Sequence, residues 1–568
     1  MNNQKQLYVH LLSVIILFSS AQTACAQEGK VVINPIELSY RFQPRDEFPA
    51  RREAADPVAE YYKGWCYLFA SKSGGYWRSR DMASWQYIPA PSISIINDYA
   101  PTILIHGDKM YFTASSDGQP TRIFCTETPE DGSSWKEIPC KMSSLHQHDP
   151  AFFQDDDGHV YFYWGCSDVN PIMAVEVDPK NDFAMIGSPK ELIFHHPAEY
   201  GWEQFGINNE THENGWNEGP AMLKVNGKYY LQYASNGTQF RVYCDGCYVS
   251  DNPLGSFKYV KDSPFSLKPG GFIGAAGHGH TFRSPDGNYW HVASMLIGQR
   301  HRYERRLGLF PVVIDSLGLH AVTALSDRPW YLPTHKLTSI ADAESLSCNY
   351  TLLSKGCTAK ASSSIVGHEP LLATDDSVET WWAAKSGNKG EWLTVDLGRK
   401  EVVKAIHLNF ADADMQVYTP YNNVVYNYLL EGSVDGKSWF ILEDNQSNDT
   451  DAPHHLITLN GNNEVRYIKI TNESNINGNF SIFDLRVFGG SQKPIRQKIT
   501  NFTVKRDKQD HRRFTFTWKP VKGVSNYILR WGENKKHLTH AITVTGSSYQ
   551  AGYFNRDNKY FFELECLD

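Results

Sequence analysis

Five stretches of this chain repeat one short pattern, and such a repeat leaves few folds open. Each runs from a proline or glycine, through a few residues, to a glycine turn and then an aromatic strand. The copies are "ADPVAEYYKGWCYLFAS", "DYAPTILIHGDKMYFTASS", "HDPAFFQDDDGHVYFYWG", "NEGPAMLKVNGKYYLQYAS" and "GHGHTFRSPDGNYWHVAS". They anchor at Pro57, Pro101, Pro150, Pro220 and Gly279, with turns at Gly64, Gly107, Gly158, Gly227 and Gly287. The first two steps are about 45 residues, the period of four-stranded blades. The third is longer, with room for an insertion. The turns "HGDK", "DDDGH", "VNGK" and "SPDGN" read as hairpins. Residues 30–335 are therefore expected to form a five-bladed β-propeller whose inner strands all start near one mouth of a central channel. Asp56, Asp149 and Glu218 open three of the copies, so they should meet there.

The chain has 568 residues, too many for one core. Aromatic residues abound and long amphipathic helical stretches are hard to find, so an all-β chain is expected. A net charge of −8 argues against nucleic acid as a partner. Lys5, the apolar run Leu11 to Phe18, and Ala24-Cys25-Ala26 read as an export signal over residues 1–26, cut before Gln27. A lipoprotein anchored through Cys25 is the weaker alternative, because Gln22 stands where an aliphatic residue is preferred. The expected location is periplasmic or secreted, and no other stretch is long and apolar enough to span a membrane. Nine cysteines would remain, an odd count that is no disulfide framework. Cys244 and Cys247 are a disulfide or two ordinary thiols. Cys348 and Cys357 are a further possible bridge.

Residues 347–490 contain "ATDDSVETWW", "WLTVDLG" and "VRYIKI". This resembles the discoidin, or coagulation factor 5/8 C-terminal, domain: a β-sandwich often used to bind carbohydrate. After a linker at Gly489, Gly490 and Ser491, residues 495–568 resemble a fibronectin type III β-sandwich. Trp518 would be its core tryptophan, and Phe554 and Tyr560 resemble its tyrosine corner. The domain looks short, its edge completed by another element or loosely folded.

The first domain resembles glycoside hydrolase family 43. The matching motifs are "ADP", "HDPAFFQDDDGHVYFYWG", "NEGPAMLKVNGKYYL" and "GHGH", with "RSRDMASW" after the first copy. The resemblance implies an inverting exo-glycosidase acting on polysaccharide side chains that carry arabinofuranosyl, xylosyl or galactofuranosyl residues. It implies Asp56 as general base, Glu218 as general acid, and Asp149 as the residue that tunes and orients the acid. The chemistry agrees. Inversion needs a carboxylate that deprotonates water and a carboxylic acid that protonates the leaving oxygen. A third nearby carboxylate helps the acid keep its proton. An Asp-Pro pair is otherwise an ordinary turn, with proline pushing the preceding residue to extended geometry. Asp155, Asp156 and Asp157 read as a solvated hairpin. Glu210 and Glu213 read as loop contacts rather than the acid.

The resemblance also implies a calcium ion at His278 in the channel, with a hydrogen-bonded histidine as the alternative and His280 as the fallback. In the discoidin-like domain it implies calcium near Asp375, Asp376 and Thr380, with Asp484 where glutamate is usual. No organic cofactor is expected. Trp77, Trp202 and Trp216 are candidate sugar platforms, and the segment from His195 to Trp216 is the expected specificity loop. Arg305 or Arg306 either reaches the pocket or makes a surface salt bridge. Two other classes stay open: a catalytically silent glycan-binding propeller, and another propeller glycosidase or phosphorylase. A phosphorylase should show basic residues near the acids, and no clear cluster is seen. Oligomeric state is left open.

Overall fold

The computed structural model describes residues 29–43, 49–116, 118–211, 215–490 and 497–567. The expected signal segment, Cys25, Glu213, Ser491 and Asp568 lie outside them. Apart from the short helix Ile340–Glu344 and three 3-10 turns, every regular element among the described residues is a strand.

Each sequence copy builds one antiparallel four-stranded unit. The first comprises Val58–Tyr62, Trp65–Phe69, Gly75–Ser79 and Gln86–Pro89. The second is Thr102–His106, Lys109–Thr113, Ile123–Thr126 and Lys136–Ile138. The third is Ala151–Gln154, Val160–Trp164, Ile172–Asp178 and Ala184–Ile193. The fourth runs Trp216–Val225, Lys228–Asn236, Cys244–Ser250 and Lys258–Tyr259; the fifth runs Gly274–Arg283, Tyr289–Leu296, Arg305–Asp315 and Gly318–Ala321. A single parallel bridge, Cys244 to Ala276, joins these last two into one large sheet. All five turn glycines have positive φ, the conformation a tight hairpin demands.

The first strands of the units neighbour one another in cyclic order, the fifth against the first. A cavity of about 320 Å³ is lined from all five, by Glu60, Leu104, Phe153, Lys224 and His280 among others. The arrangement is consistent with a propeller. The acids sit at the opposite, starting ends of these strands.

The second domain is one eight-stranded sheet around a single core. Its two 19-residue strands, Trp392–Phe410 and His454–Asn472, pair along most of their length with shifts of register. The third domain is two three-stranded sheets. One is Phe502–Arg506, Phe514–Trp518 and Ser548–Ala551; the other is His540–Thr545, Asn526–Gly532 and Phe561–Cys566. Trp518 is buried, and the Tyr560 hydroxyl accepts the Asn555 N–H at 3.1 Å. This domain is not loosely attached: its Phe514, Trp531 and Phe554 share one apolar cluster with Tyr163, Trp202 and Tyr233 of the first domain.

All nine described cysteines are free thiols, so neither Cys244–Cys247 nor Cys348–Cys357 is a bridge. Cys244 and Cys247 lie three apart on a strand, hence on opposite faces, and they enter different cores. No described helix is long and apolar enough to cross a membrane.

Candidate active site

The residue before each anchor is Asp56, Ala100, Asp149, Gly219 and His278, and all five have φ between 48° and 59°. The expected extended geometry before proline is therefore corrected. Local preference yields to a tertiary device. Ser71 and Ser115, two residues past the second strand of their units, and Ser294, within its own, accept the N–H of Ala100, Asp149 and Asp56 respectively, each at 2.8 Å. Ser294 of the fifth unit thus reaches Asp56 of the first. Left-handed φ at a non-glycine residue carries strain that the surroundings must hold, and such residues cluster at functional sites.

Asp56 is buried and heavily partnered. Ser71 Oγ donates to Oδ2 at 2.6 Å, and Arg305 Nη1 donates to Oδ1 at 3.0 Å. His278 Nδ1 lies 3.5 Å from the same Oδ1. Burial alone would raise the carboxyl; Arg305, His278 and the two serines outweigh it and hold Asp56 below the ordinary carboxylate range. Asp149 has the opposite balance. Burial, with Glu218 and Asp56 adding, pushes it up to about 7 against His278 and the Gly219 N–H. His278 Nδ1 is 3.9 Å from Asp149 Oδ2, so one ring nitrogen faces two of the three acids. Burial lowers this imidazole, but Asp56, Asp149 and Glu218 raise it more, favouring the cation.

Glu218 sits one residue before the repeat position, which is Gly219. A register shift between Glu218 and Ala221 accommodates the extra residue. Tyr243 Oη donates to Glu218 Oε1, and Cys166 Sγ donates to Oε2 at 3.2 Å. Asp149, Cys166 and Glu218 each place a ligand-type atom within 4.8 Å of the others. A side chain at Gly219 has no room: its Cβ would fall 2.5 Å from His278 Cδ2. His278 is fixed from below, because Asp245 accepts its N–H at 2.7 Å and that of Gly279 at 2.8 Å.

Some expectations need correction. Trp77 and Trp202 are fully buried, bonded to Ser39 and Tyr259, with no face left for a sugar. Trp216 is 41% exposed and lies on the strand of Glu218, two residues away and so on the same face. Arg305 and Arg306 are both buried, so neither is a surface ion pair. Asp155 is buried on Lys224 and Tyr229, while Asp156 and Asp157 are exposed as expected. Glu210 is exposed. His280 is held down to about 4 by burial and then His291, and is neutral. Asp376 is engaged by Arg486 at 2.9 Å and Lys355 at 3.4 Å, and Asp484 accepts the Asp376 N–H at 2.7 Å. Thr380 donates to Asp375 Oδ2 at 2.6 Å.

Sequence reasoning missed Ser71, Ser115, Ser294, Cys166, Tyr243 and Asp245. The serines had a visible signal, the Ala-Ser that closes four of the five repeats. The others did not.

A buried carboxyl held below the ordinary range, a second pushed up to about 7 and a histidine between them are groups that hydrolysis of a glycosidic bond could use. Residues 50–316 match the family Glycosyl hydrolases family 43, and residues 358–484 match the F5/8 type C domain. Residues 50–316 are a glycoside hydrolase family 43 domain, and an F5/8 type C domain follows it. Among solved structures, the endo-1,4-beta-xylanase from Bacteroides thetaiotaomicron is 21% identical, with a TM-score of 0.41 over 51% of this chain and 97% of that one. The family 43 BlXynB protein from Bacillus licheniformis is 16% identical, with a TM-score of 0.40 over 78% and 98%. A family 43 arabinoxylan arabinofuranohydrolase from Bacillus subtilis is 16% identical, with a TM-score of 0.38 over 77% and 96%. No curated protein matches. The family assignment rests on the family models rather than on these likenesses.

Proposed function

We propose that this chain is an exported inverting exo-glycosidase on a five-bladed propeller. It removes terminal arabinofuranosyl, xylosyl or galactofuranosyl residues from polysaccharide side chains. One observation carries the reading: His278 lies between Asp56, whose carboxyl is held below the ordinary range, and Asp149, which is pushed up to about 7 beside Glu218. Asp56 takes the proton from water. Glu218 gives one to the leaving oxygen, with Tyr243 fixing Oε1 so that Oε2 carries it. Asp149 tunes the acid through its charge and orients it through the Gly219 N–H. Trp216 offers its ring face to the sugar. Arg305 acts on Asp56 rather than on substrate.

The F5/8 type C domain is read as a carbohydrate-binding module and the last domain as fibronectin type III-like. For calcium, Asp375 is the residue that fits: its Oδ1 is buried without a hydrogen bond, and an ion there would stiffen the loop. In the channel the imidazolium of His278 already supplies positive charge beneath the acids.

The test is turnover of 4-nitrophenyl α-L-arabinofuranoside, β-D-xyloside and β-D-galactofuranoside by wild type and Glu218→Gln. Turnover of one substrate, reduced by about 10²- to 10⁴-fold in the variant, is expected from loss of a general acid. Binding of glycans without turnover of any aryl glycoside or polysaccharide would favour the silent propeller.

A further inference from the structure

The seam between the hydrolase domain and the F5/8 type C domain is built from buried charge. Arg52 is fully buried; its Nη1 donates to the Tyr40 carbonyl of its own domain at 2.6 Å, and its carboxylate partners come from across the seam. Its Nε donates to Asp412 Oδ2 at 2.9 Å, and its Nη1 lies 2.8 Å from Asp451 Oδ1. Both acids are fixed within their own domain. Tyr426 Oη donates to Asp412 Oδ1 at 2.7 Å, and the Val424 N–H donates to Asp451 Oδ2 at 3.0 Å. Arg306 adds a second tie, donating to the Arg52 carbonyl at 3.0 Å and to His454 Nε2 at 2.8 Å.

Arg52 shares a two-residue strand with Glu53, paired to Arg41–Phe42. Glu53 is fully buried too. Its Oε1 accepts from Arg305 Nη2 at 2.9 Å, and its Oε2 accepts from Arg51 Nη2 at 3.1 Å. The other end of the Arg305 fork holds Asp56. A continuous path therefore runs from Asp412 and Asp451, through Arg52 and its neighbour Glu53, to Arg305 and Asp56. A buried arginine stripped of a carboxylate does not stay in place, because an unpaired buried charge is costly. Beyond its pairing to Arg41–Phe42, the strand is held by Arg306 at the Arg52 carbonyl and by the Arg52 side chain, which ends on the two acids and the Tyr40 carbonyl.

We propose that Asp412 and Asp451 of the F5/8 type C domain are positioning residues for the base: through Arg52 they fix the strand whose Glu53 aims Arg305 at Asp56. The proposal rests on the reading of Asp56 as base. It makes the second domain part of the hydrolytic apparatus, whatever glycan it also binds.

The experiment uses the full chain with Asp412→Asn and Asp451→Asn, checked for folding by circular dichroism and thermal melting. The charged groups facing Asp56 are Arg305, His278, Glu53 and Asp149. A loosened Arg305 gives Asp56 a higher pKa, so the acid limb of kcat/KM moves to higher pH. A kcat loss of about 10- to 100-fold with KM nearly kept is expected for a misaimed base. Glu379→Gln serves as control. It removes another contact across the seam, Arg241 Nη1 to Glu379 Oε1 at 3.1 Å, and should leave the kinetics unchanged. Folded Asn variants with wild-type kcat and acid limb would overturn the proposal. If the Asn variants do not fold, Arg52→Lys, which keeps the charge but loses the fork, must show the same kcat loss; wild-type behaviour there overturns it equally. Asp56→Asn runs alongside. Undiminished turnover in that variant would remove the base assignment, and the proposal with it, whatever the seam variants do.

Discussion

Asp56 and Asp149 hold equivalent places in two repeats, with the same φ and the same serine device, yet they differ in charge. The difference lies in their neighbours. Asp56 receives Arg305, whereas Asp149 faces Glu218 and receives a backbone N–H, a 3.3 Å bond from the Ser115 hydroxyl and a more distant imidazole. This fixes the expected pH dependence. The acid limb of kcat/KM reports protonation of Asp56 and lies below the ordinary carboxylate range, because its pKa is lowered. The alkaline limb follows Asp149, pushed up to about 7 by burial, with Glu218 and Asp56 adding. Asp149→Asn removes that titrating group, so this limb should leave the region of 7 while the acid limb stays nearly fixed. A kcat/KM profile of both proteins checks this, and an unmoved alkaline limb would refute the assignment.

At the scale of the strand, the glycine turns and the repeat phase were legible in the sequence, because both are local: a hairpin demands its glycine within a few residues. The convergence of the three acids followed from that phase. What was not legible was set by distant contacts. Proline's local preference lost to serines from neighbouring units, and the acid left the repeat phase by one residue. Trp77 and Trp202 looked like platforms because composition does not say which face of a strand is covered. Arg305 meets Asp56 across 249 positions of chain, where no spacing rule reaches. Gly219 joins both levels, since it takes φ +59° and leaves room for His278. Gly219→Ala should cost about 1–2 kcal/mol for the left-handed backbone, and it should also move His278 against the acids. A melt and a kcat measurement test this together; a variant that loses stability but keeps kcat would mean that the close approach to His278 is not needed.

At the scale of the whole chain, three domains behave as one packed body. The hydrolase and terminal domains share an apolar cluster, and buried arginines tie the hydrolase domain to the F5/8 type C domain. Domains on a chain more often meet through modest polar interfaces and move independently. Here calorimetry should show one cooperative transition, and removal of residues 497–568 should expose Tyr163 and Tyr233 and lower the melting temperature. Three separate transitions, with the first unaffected by truncation, would contradict this.

The central claim is direct displacement by water, activated by Asp56 on the face opposite Glu218. The most direct measurement is proton NMR of the sugar released in the first minutes of hydrolysis, before mutarotation. The account predicts the anomer inverted relative to the substrate. A first-formed product with retained configuration would require a covalent intermediate on a carboxylate, and would contradict the roles given to Asp56 and Glu218.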